Sequence, residues 1–341
     1  MVPQTFAEDI AAGSGYLMEK SRVLVVIVNA RAATESLGTV EATLAALIGI
    51  NGAVTIVDDG SDGASLTALS AALAARGWDR RVRVLEAGPF RGIPAGTNIG
   101  ICAGLPEGQT PDYLYLLSPG VRPAPDAIRR LIAHLDANPR TGVVGGGLCG
   151  PDGAPALNAF HFPSLKSEFM GAAHGLPAAD RGGPVDWVSA KHLMARRSAV
   201  DETGLFDEEY LVCFAEADLC RRARVAGWGT DHLPESAARL DRPFRGGEEV
   251  RRRLPGYWMD ARLRYFLKNH SGFYAAAATV ARVSGGLLSW LAVRPRCAEP
   301  PRFLRGLILH DAGFLMRSFW KLLRSALSGG SAPAPRQMHR R

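Results

Sequence analysis

Residues 22–30, RVLVVIVNA, form an unbroken apolar run rich in β-branched side chains. Such a run marks a strand buried on both faces of a sheet. A helix is predicted over about 34–48, and a second apolar run, AVTIVDDGSDG at 53–63, ends in a carboxylate-rich turn. An Ala-rich helix follows around 66–76, and RVRVLEAG (81–88) reads as a third strand. IPAGTNIGICAGL (93–105) reads as a helix entered through a Gly/Pro loop, and DYLYLLSPG (112–120) as a fourth strand. APDAIRRLIAHLDANP (124–139) is an amphipathic helix with Pro125 near its first turn. Strand and helix alternate from residue 22 to about 138, which predicts a mostly parallel sheet with helices on both faces.

Beyond residue 140 the rhythm changes. GVVGGGLCGPDG (142–153) reads as a strand and turn, PVDWVSAKHLMARRSAV (184–200) as a strand leading into a short helix, and FAEADLCRRARVAGW (214–228) as a helix with charges on one face. GGGLCG (145–150) satisfies the GxGxxG pattern but runs into Pro151-Asp152-Gly153. A dinucleotide fingerprint must open a helix, so this one reads as a close-packed strand end.

At 341 residues, 47% hydrophobic and 21% charged, the chain is globular, with room for one large α/β domain and an appendage. Its five cysteines are scattered, with neither a CxxC nor a zinc-spaced cluster, which favours a reducing compartment. The first twenty residues contain two acids and no long apolar core, so no signal peptide is expected. The apolar stretch 273–293 is interrupted by Arg282, Ser284, Gly285, Gly286 and Ser289, and reads as a pair of buried or interfacial helices rather than a membrane span.

The net charge of +7 is unevenly distributed. Residues 251–341 hold 17 Lys and Arg against 3 Asp and Glu, while residues 1–250 hold 23 against 30. In the basic part, PRFLRGLILHDAGFLMRSFWKLLRSAL (301–327) interleaves large apolar residues with arginine. This suits an anionic membrane surface, or packing on the chain's own body or in an oligomer. No nucleic-acid reader motif accompanies it. The segment 328–341 has the composition of a disordered tail.

Ligands of parallel α/β sheets sit at the carboxyl ends of strands. Here those ends are Asn29-Ala30-Arg31, Asp58-Asp59-Gly60-Ser61, Gly88 to Gly92, and Ser118-Pro119-Gly120. The adjacent carboxylates of Asp58 and Asp59 suit acceptance of base or ribose hydrogen bonds, or an Asx turn ahead of the next helix.

Seven segments occur in a telling order: VLVVIVNAR (23–31), IVDDGSDGAS (56–65), GIPAGTNIGI (92–101), YLYLLSPGVRPAPDAI (113–128), GPDG (150–153), VDWVSAKHLMARR (185–197) and GLFDEEYLVCFAEADLCRRARVAGW (204–228). Together they resemble the family 2 glycosyltransferases of GT-A fold, especially the bacterial rhamnosyltransferase-like branch. YWMDARLRYFLKNHSGFYAA (257–276) looks like the helical extension of exopolysaccharide-type members. The resemblance implies an α/β, doubly wound GT-A domain over 21–250, with an N-terminal arm (1–20), a basic amphipathic helical extension (251–327) and the tail 328–341. It implies an inverting transfer from a nucleotide-diphosphate sugar to a saccharide or lipid-linked acceptor, in the cytoplasm or on the inner face of the cell membrane. The alternative is a non-catalytic relative serving as a binding partner in such an assembly.

Position by position, the resemblance places Asn29, Arg31, Asp58, Asp59 and Arg91 around the nucleotide, with Asn98 in the same family segment as Arg91. The family's carboxylate pair before DLCRR supplies the general base. Here it reads Ala215-Glu216-Ala217-Asp218, which leaves Glu216 as the base. Asp218 is expected to cap the helix or pair with Arg221 or Arg222. Ser118, Gly120, Lys191, His192 and Asp218 fall in the diphosphate and acceptor region. The family expects Mg²⁺ or Mn²⁺, but its usual carboxylate position is Gly120 and its usual histidine position is Leu240, with Asp241 next to it. Lys191 is the cation expected to offset phosphate charge in the metal's place.

Overall fold

The computed structural model describes residues 21–30, 32–79, 81–172, 175, 177–178, 181–242, 255–292, 306–313 and 316. The arm 1–20, the tail 328–341 and Arg31 lie outside the described residues. The first half runs β1 (Arg22–Asn29), α1 (Ala33–Ala46), β2 (Asn51–Asp58), α2 (Gly63–Ala75), β3 (Val82–Glu86), α3 (Ile93–Cys102), β4 (Tyr113–Leu117), β5 (Val121–Pro123) and α4 (Ala127–Ala137). The second runs β6 (Thr141–Cys149), β7 (Pro155–Ala156), β8 (Ala159–Phe160), α5 (Leu165–Phe169), β9 (Gly183–Pro184), β10 (Trp187–Val188), β11 (His192–Arg196), α6 (Arg197–Thr203), α7 (Ala215–Val225), β12 (Gly229–Leu240), α8 (Gly256–Asn269) and α9 (Gly272–Ala292).

The main sheet has the order β3-β2-β1-β4-β11-β6-β12-β5. β1 to β4 are parallel neighbours, and β6 and β12 form a second parallel pair. β11 is inserted antiparallel between β4 and β6, and β5 closes the far edge antiparallel to β12. The mostly parallel α/β sheet read from the alternation is the one observed.

Alternate residues of β1 feed two cores, as the two-residue period of a strand requires. Leu24, Val26 and Val28 face α3, α7 and α8, while Val23, Val25 and Ile27 face α1, α2 and α4. α3 lies unusually close on β1: a Cβ at Gly96 or Gly100 would come within 2.8 Å of Val28 or Val26. Those two glycines, one turn apart, set the depth at which the helix start meets the strand ends.

The GxGxxG run is a strand in β6, as expected. A Cβ at Gly145, Gly146 or Gly147 would run into Val188, the His192 ring or Pro234, so its glycines serve strand packing and not phosphate.

Two expectations need correction. The stretch 273–293 does not form a pair of helices; α9 is continuous over Gly272–Ala292. Gly285 lies where the Phe169 carbonyl of α5 approaches, so its missing side chain permits close packing instead of a break. Leu240, at the family's histidine position, is a core residue of β12, and Asp241 is the residue that reaches the strand-end corner. α8 packs into the same core as the sheet through Trp258, Tyr265 and Phe266, each 0% exposed. Among the described residues no helix is long and apolar enough to cross a membrane.

Candidate active site

The register of β1 against β2 sets Asn29 beside Asp58. Asn29 Nδ2 donates to Asp58 Oδ1 (2.7 Å), and its Oδ1 accepts from the Ala32 N–H (3.1 Å) and the Ser36 hydroxyl (3.0 Å). Asp58 Oδ2 accepts from the Ser61 N–H at 3.2 Å. Asp59 uses both oxygens on the next loop, accepting from the N–H groups of Arg91 (2.8 Å) and Gly92 (2.9 Å). Helix α2 is capped by Asp62, whose side chain accepts from the Ser65 N–H at 2.7 Å, and not by the acidic pair. Asn29, Asp58 and Asp59 are thus buried fasteners that tie three strand-end loops into one rim. The Arg91 guanidinium turns outward and pairs with Glu208 at 3.3 Å, both exposed to solvent.

The same rim extends to the loop ahead of α7. Asn98 brackets Phe206, donating to its carbonyl at 2.8 Å and accepting from its N–H at 3.0 Å, and also reaches Glu208 at 3.0 Å. The Ile93 N–H donates to the Leu211 carbonyl at 2.9 Å. Gly92, at φ 104°, is required there, because a Cβ would lie 2.6 Å from that carbonyl.

Gly120 takes φ 79° in the turn from β4 to β5, where a residue with a Cβ is strained. Its N–H donates to the Thr39 hydroxyl (2.9 Å), and its carbonyl accepts from the Asp241 N–H (2.8 Å). A Cβ built on Gly120 would lie 3.8 Å from the Cβ atoms of Glu35 and Asp241, so two carboxylates flank the position that lost its own. Each is engaged by arginine: Arg122 Nε on Asp241 at 2.6 Å and Arg242 on Glu35 at 2.8 Å. Gly38 leaves the slot on α1 that the Arg122 guanidinium occupies. Among the described residues no group of three His, Cys, Asp or Glu could hold a metal ion. The donor set at this corner therefore does not fit Mg²⁺ or Mn²⁺, which need several free oxygen ligands.

A short loop joins this corner to Glu216. The Ser118 N–H donates to the Lys191 carbonyl at 3.4 Å, and one residue earlier the Ala190 N–H donates to Glu216 Oε1 at 3.3 Å. Desolvation raises the Glu216 carboxyl above the ordinary carboxylate range, opposed by hydrogen bonds from its own and the Ala190 N–H and by the charge of Lys191. Burial lowers the Lys191 ammonium to about 8, against the pull of Glu216 and Cys213. Burial also pushes the Cys213 thiol up to about 12. Acid, amine and thiol are each half-buried and lie within electrostatic reach of one another.

Two residues assigned to the diphosphate and acceptor region lie elsewhere. His192 points to the opposite face of β11, 0% exposed, beneath the Tyr115 ring, with Nδ1 3.2 Å from the Gly147 carbonyl. Burial holds it neutral, down to about 4. Alternation along a strand puts it on the other side from Lys191. Asp218 is also fully buried, held by Arg222 (2.9 Å) as expected and by Lys268 (2.8 Å). Two residues along a helix from Glu216, it cannot share the base's face. The sequence reading missed Glu35, Arg122, Arg242 and Lys268, which reach partners on separate elements far along the chain and carry no local pattern.

No protein-family model matches the chain. Among curated relatives, N-acetylglucosaminyl-diphospho-decaprenol L-rhamnosyltransferase of Mycobacterium tuberculosis (strains CDC 1551 / Oshkosh and ATCC 25618 / H37Rv) is 27% identical over 217 residues, covering 57% of this chain and 70% of the relative. Among solved structures, the mannosyltransferase PcManGT from Pyrobaculum calidifontis, in complex with GDP-Man and Mn²⁺, superimposes with a TM-score of 0.53 at 13% identity. That match covers 90% of this chain and 96% of that one, and bears on the fold. Sheet order and the structural match show a GT-A fold, and the comparisons support a glycosyltransferase. Within that class the curated relative supports a family 2 glycosyltransferase of rhamnosyltransferase-like kind.

Proposed function

We propose that this enzyme transfers a sugar, rhamnose by analogy with its relative, from a nucleotide-diphosphate donor to a lipid-linked saccharide, with inversion. The observation that carries this reading is the half-buried Glu216 carboxylate beside Lys191, one residue of loop away from the strand-end corner. In the proposed step Glu216 takes the proton of the acceptor hydroxyl. The hydroxyl oxygen bonds to the anomeric carbon, and the bond to the diphosphate breaks on the opposite face, the diphosphate leaving with the electron pair. Asn29, Asp58, Asp59 and Arg91 shape the nucleotide rim. Lys191 holds Glu216 in its charged form and supplies positive charge beside the leaving group, on the loop hydrogen-bonded to Ser118.

A lipid-linked acceptor places the work at a membrane surface, and the outer face of α9 supports that. Phe273 (87% exposed), Val280, Leu287, Leu288 and Leu291 lie within one arc of the helix, and Phe169 and Met170 of the adjoining α5 turn stand exposed beside it. This supports a peripheral location on the inner face of the membrane. Phe273→Asp with Leu288→Asp is expected to abolish sedimentation with anionic liposomes; undiminished binding would exclude this face.

The deciding experiment measures transfer from a panel of nucleotide-diphosphate rhamnose donors to a short-chain polyprenyl-diphosphate N-acetylglucosamine, in EDTA. Wild type is expected to turn over with an inverted anomeric product. Glu216→Gln should lower kcat by about 10²–10⁴-fold. Full activity of that variant would remove Glu216 from the mechanism, and strict dependence on added Mn²⁺ would overturn the role of Lys191.

A further inference from the structure

Phe214, the first residue ahead of α7, has φ 70°, the only positive φ of a non-glycine among the described residues. Left-handed backbone is unfavourable for a bulky side chain and persists only where its surroundings enforce it. Glu216 lies two residues on, so this turn sets the direction in which the base leaves the loop.

The enforcing contacts come from α8. The Phe214 ring is 5.8 Å from Trp258 and 5.7 Å from Tyr265, centroid to centroid, and all three side chains are buried. Lys268 Nζ donates to Asp207 Oδ2 and to Asp218 Oδ2, each at 2.8 Å, bridging both ends of the segment that contains Glu216. Arg264 adds two bonds to Asp207 through Nη2, at 2.8 and 3.0 Å, and Asn269 donates to Asp218 Oδ1 at 3.2 Å. A buried carboxylate such as Asp218 holds its position only while such partners remain.

We infer that α8 is a positioning element of the transfer reaction, with Lys268 as its principal residue: it locks the Phe214 turn and so aims the Glu216 carboxylate. This rests on the reading of Glu216 as the base. It gives the helical extension a part in turnover besides its exposed face.

The test compares full-length Lys268→Met and Lys268→Arg. In the Met variant, backbone amide exchange over 211–218 is expected to rise about tenfold. Its kcat should fall about ten- to hundredfold with donor KM within about twofold, because misaiming a base weakens the chemical step and not binding. Lys268→Arg, which keeps the charge and reach, should restore most of both. Unchanged exchange, or unchanged kcat, in a folded Met variant overturns the inference, as does a loss borne by KM alone. Should Lys268→Met fail to fold, Asn269→Ala is judged by the same two measurements, with a smaller rise and fall expected and their absence equally fatal. If Glu216→Gln stays fully active while Lys268→Met still loosens the turn, the base assignment has failed and the clamp stands.

Discussion

At the nucleotide edge, the acids Asp58 and Asp59 are neutralised by near neighbours: an asparagine on the adjoining strand and backbone N–H groups of the two loops. At the edge that carries Glu216, the acid sits beside a half-buried amine, and the turn before it is held by a helix some 50 residues further along the chain. The first edge is fixed by short-range hydrogen bonds from uncharged donors on the neighbouring strand and loops. The second depends on charged partners and aromatic packing from outside the sheet. The two edges meet through Asn98 and the Ile93–Leu211 bond, and the base-side edge draws further supports from α8.

The heaviest blow to that contrast is Asp59→Ala. It strands the buried Gly92 N–H and the partly buried Arg91 N–H, and should cost roughly 3 kcal/mol in denaturant unfolding. A loss below 1 kcal/mol would mean that the rim does not depend on its acid.

Next comes acid titration of the fold through His192. Its folded value is about 4 against 6.5 unfolded, so the unfolded chain binds the extra proton between those limits and stability rises with pH there. Acidification from 6.5 to 4 should remove roughly 3 kcal/mol, and His192→Phe should flatten that slope. An unchanged slope would return His192 to solvent and to the site.

Lys191→Met should lower kcat about tenfold. In wild type, kcat should decline as pH rises past about 8, where the amine loses its proton, and decline in acid as Glu216 gains one. The variant should keep the acid limb and lose the alkaline one; retention of both limbs would disconnect Lys191 from turnover.

The mildest change is Gly120→Asp. The left-handed backbone costs about 1 kcal/mol for a residue with a Cβ, and the position has room, its nearest neighbours lying at 3.8 Å. A third carboxylate beside Glu35 and Asp241 should let Mn²⁺ raise Tm in the variant and leave wild type unmoved. An equal rise in both would show that the arginines do not close this corner to metal.

Much of this was legible in residue order. The apolar runs at 22–30 and 53–58 dictated parallel buried strands, and Gly120 and Ala215 announced that two acids were missing. Asp58 and Asp59 were correctly placed at a strand end, but their partners were not readable, since a carboxylate's use depends on which N–H groups the fold brings to it. His192 and Lys191 are adjacent letters with opposite fates, decided by strand alternation. Lys268 gave no signal, because a lysine on a helix becomes a clamp only when two aspartates arrive from elsewhere.

By itself, then, the sequence determined the α/β architecture, the strand ends, and the one acid, Glu216, that stands where the resemblance puts a base. Periodicity and turn chemistry are local, and they act before anything packs. Only the tertiary structure decided which charges meet: arginines on Glu35 and Asp241, an amine beside Glu216, a helix from the basic extension on Asp218. Those pairings join elements that no local rule brings together, and the one on Asp218 also gains from water excluded by the core.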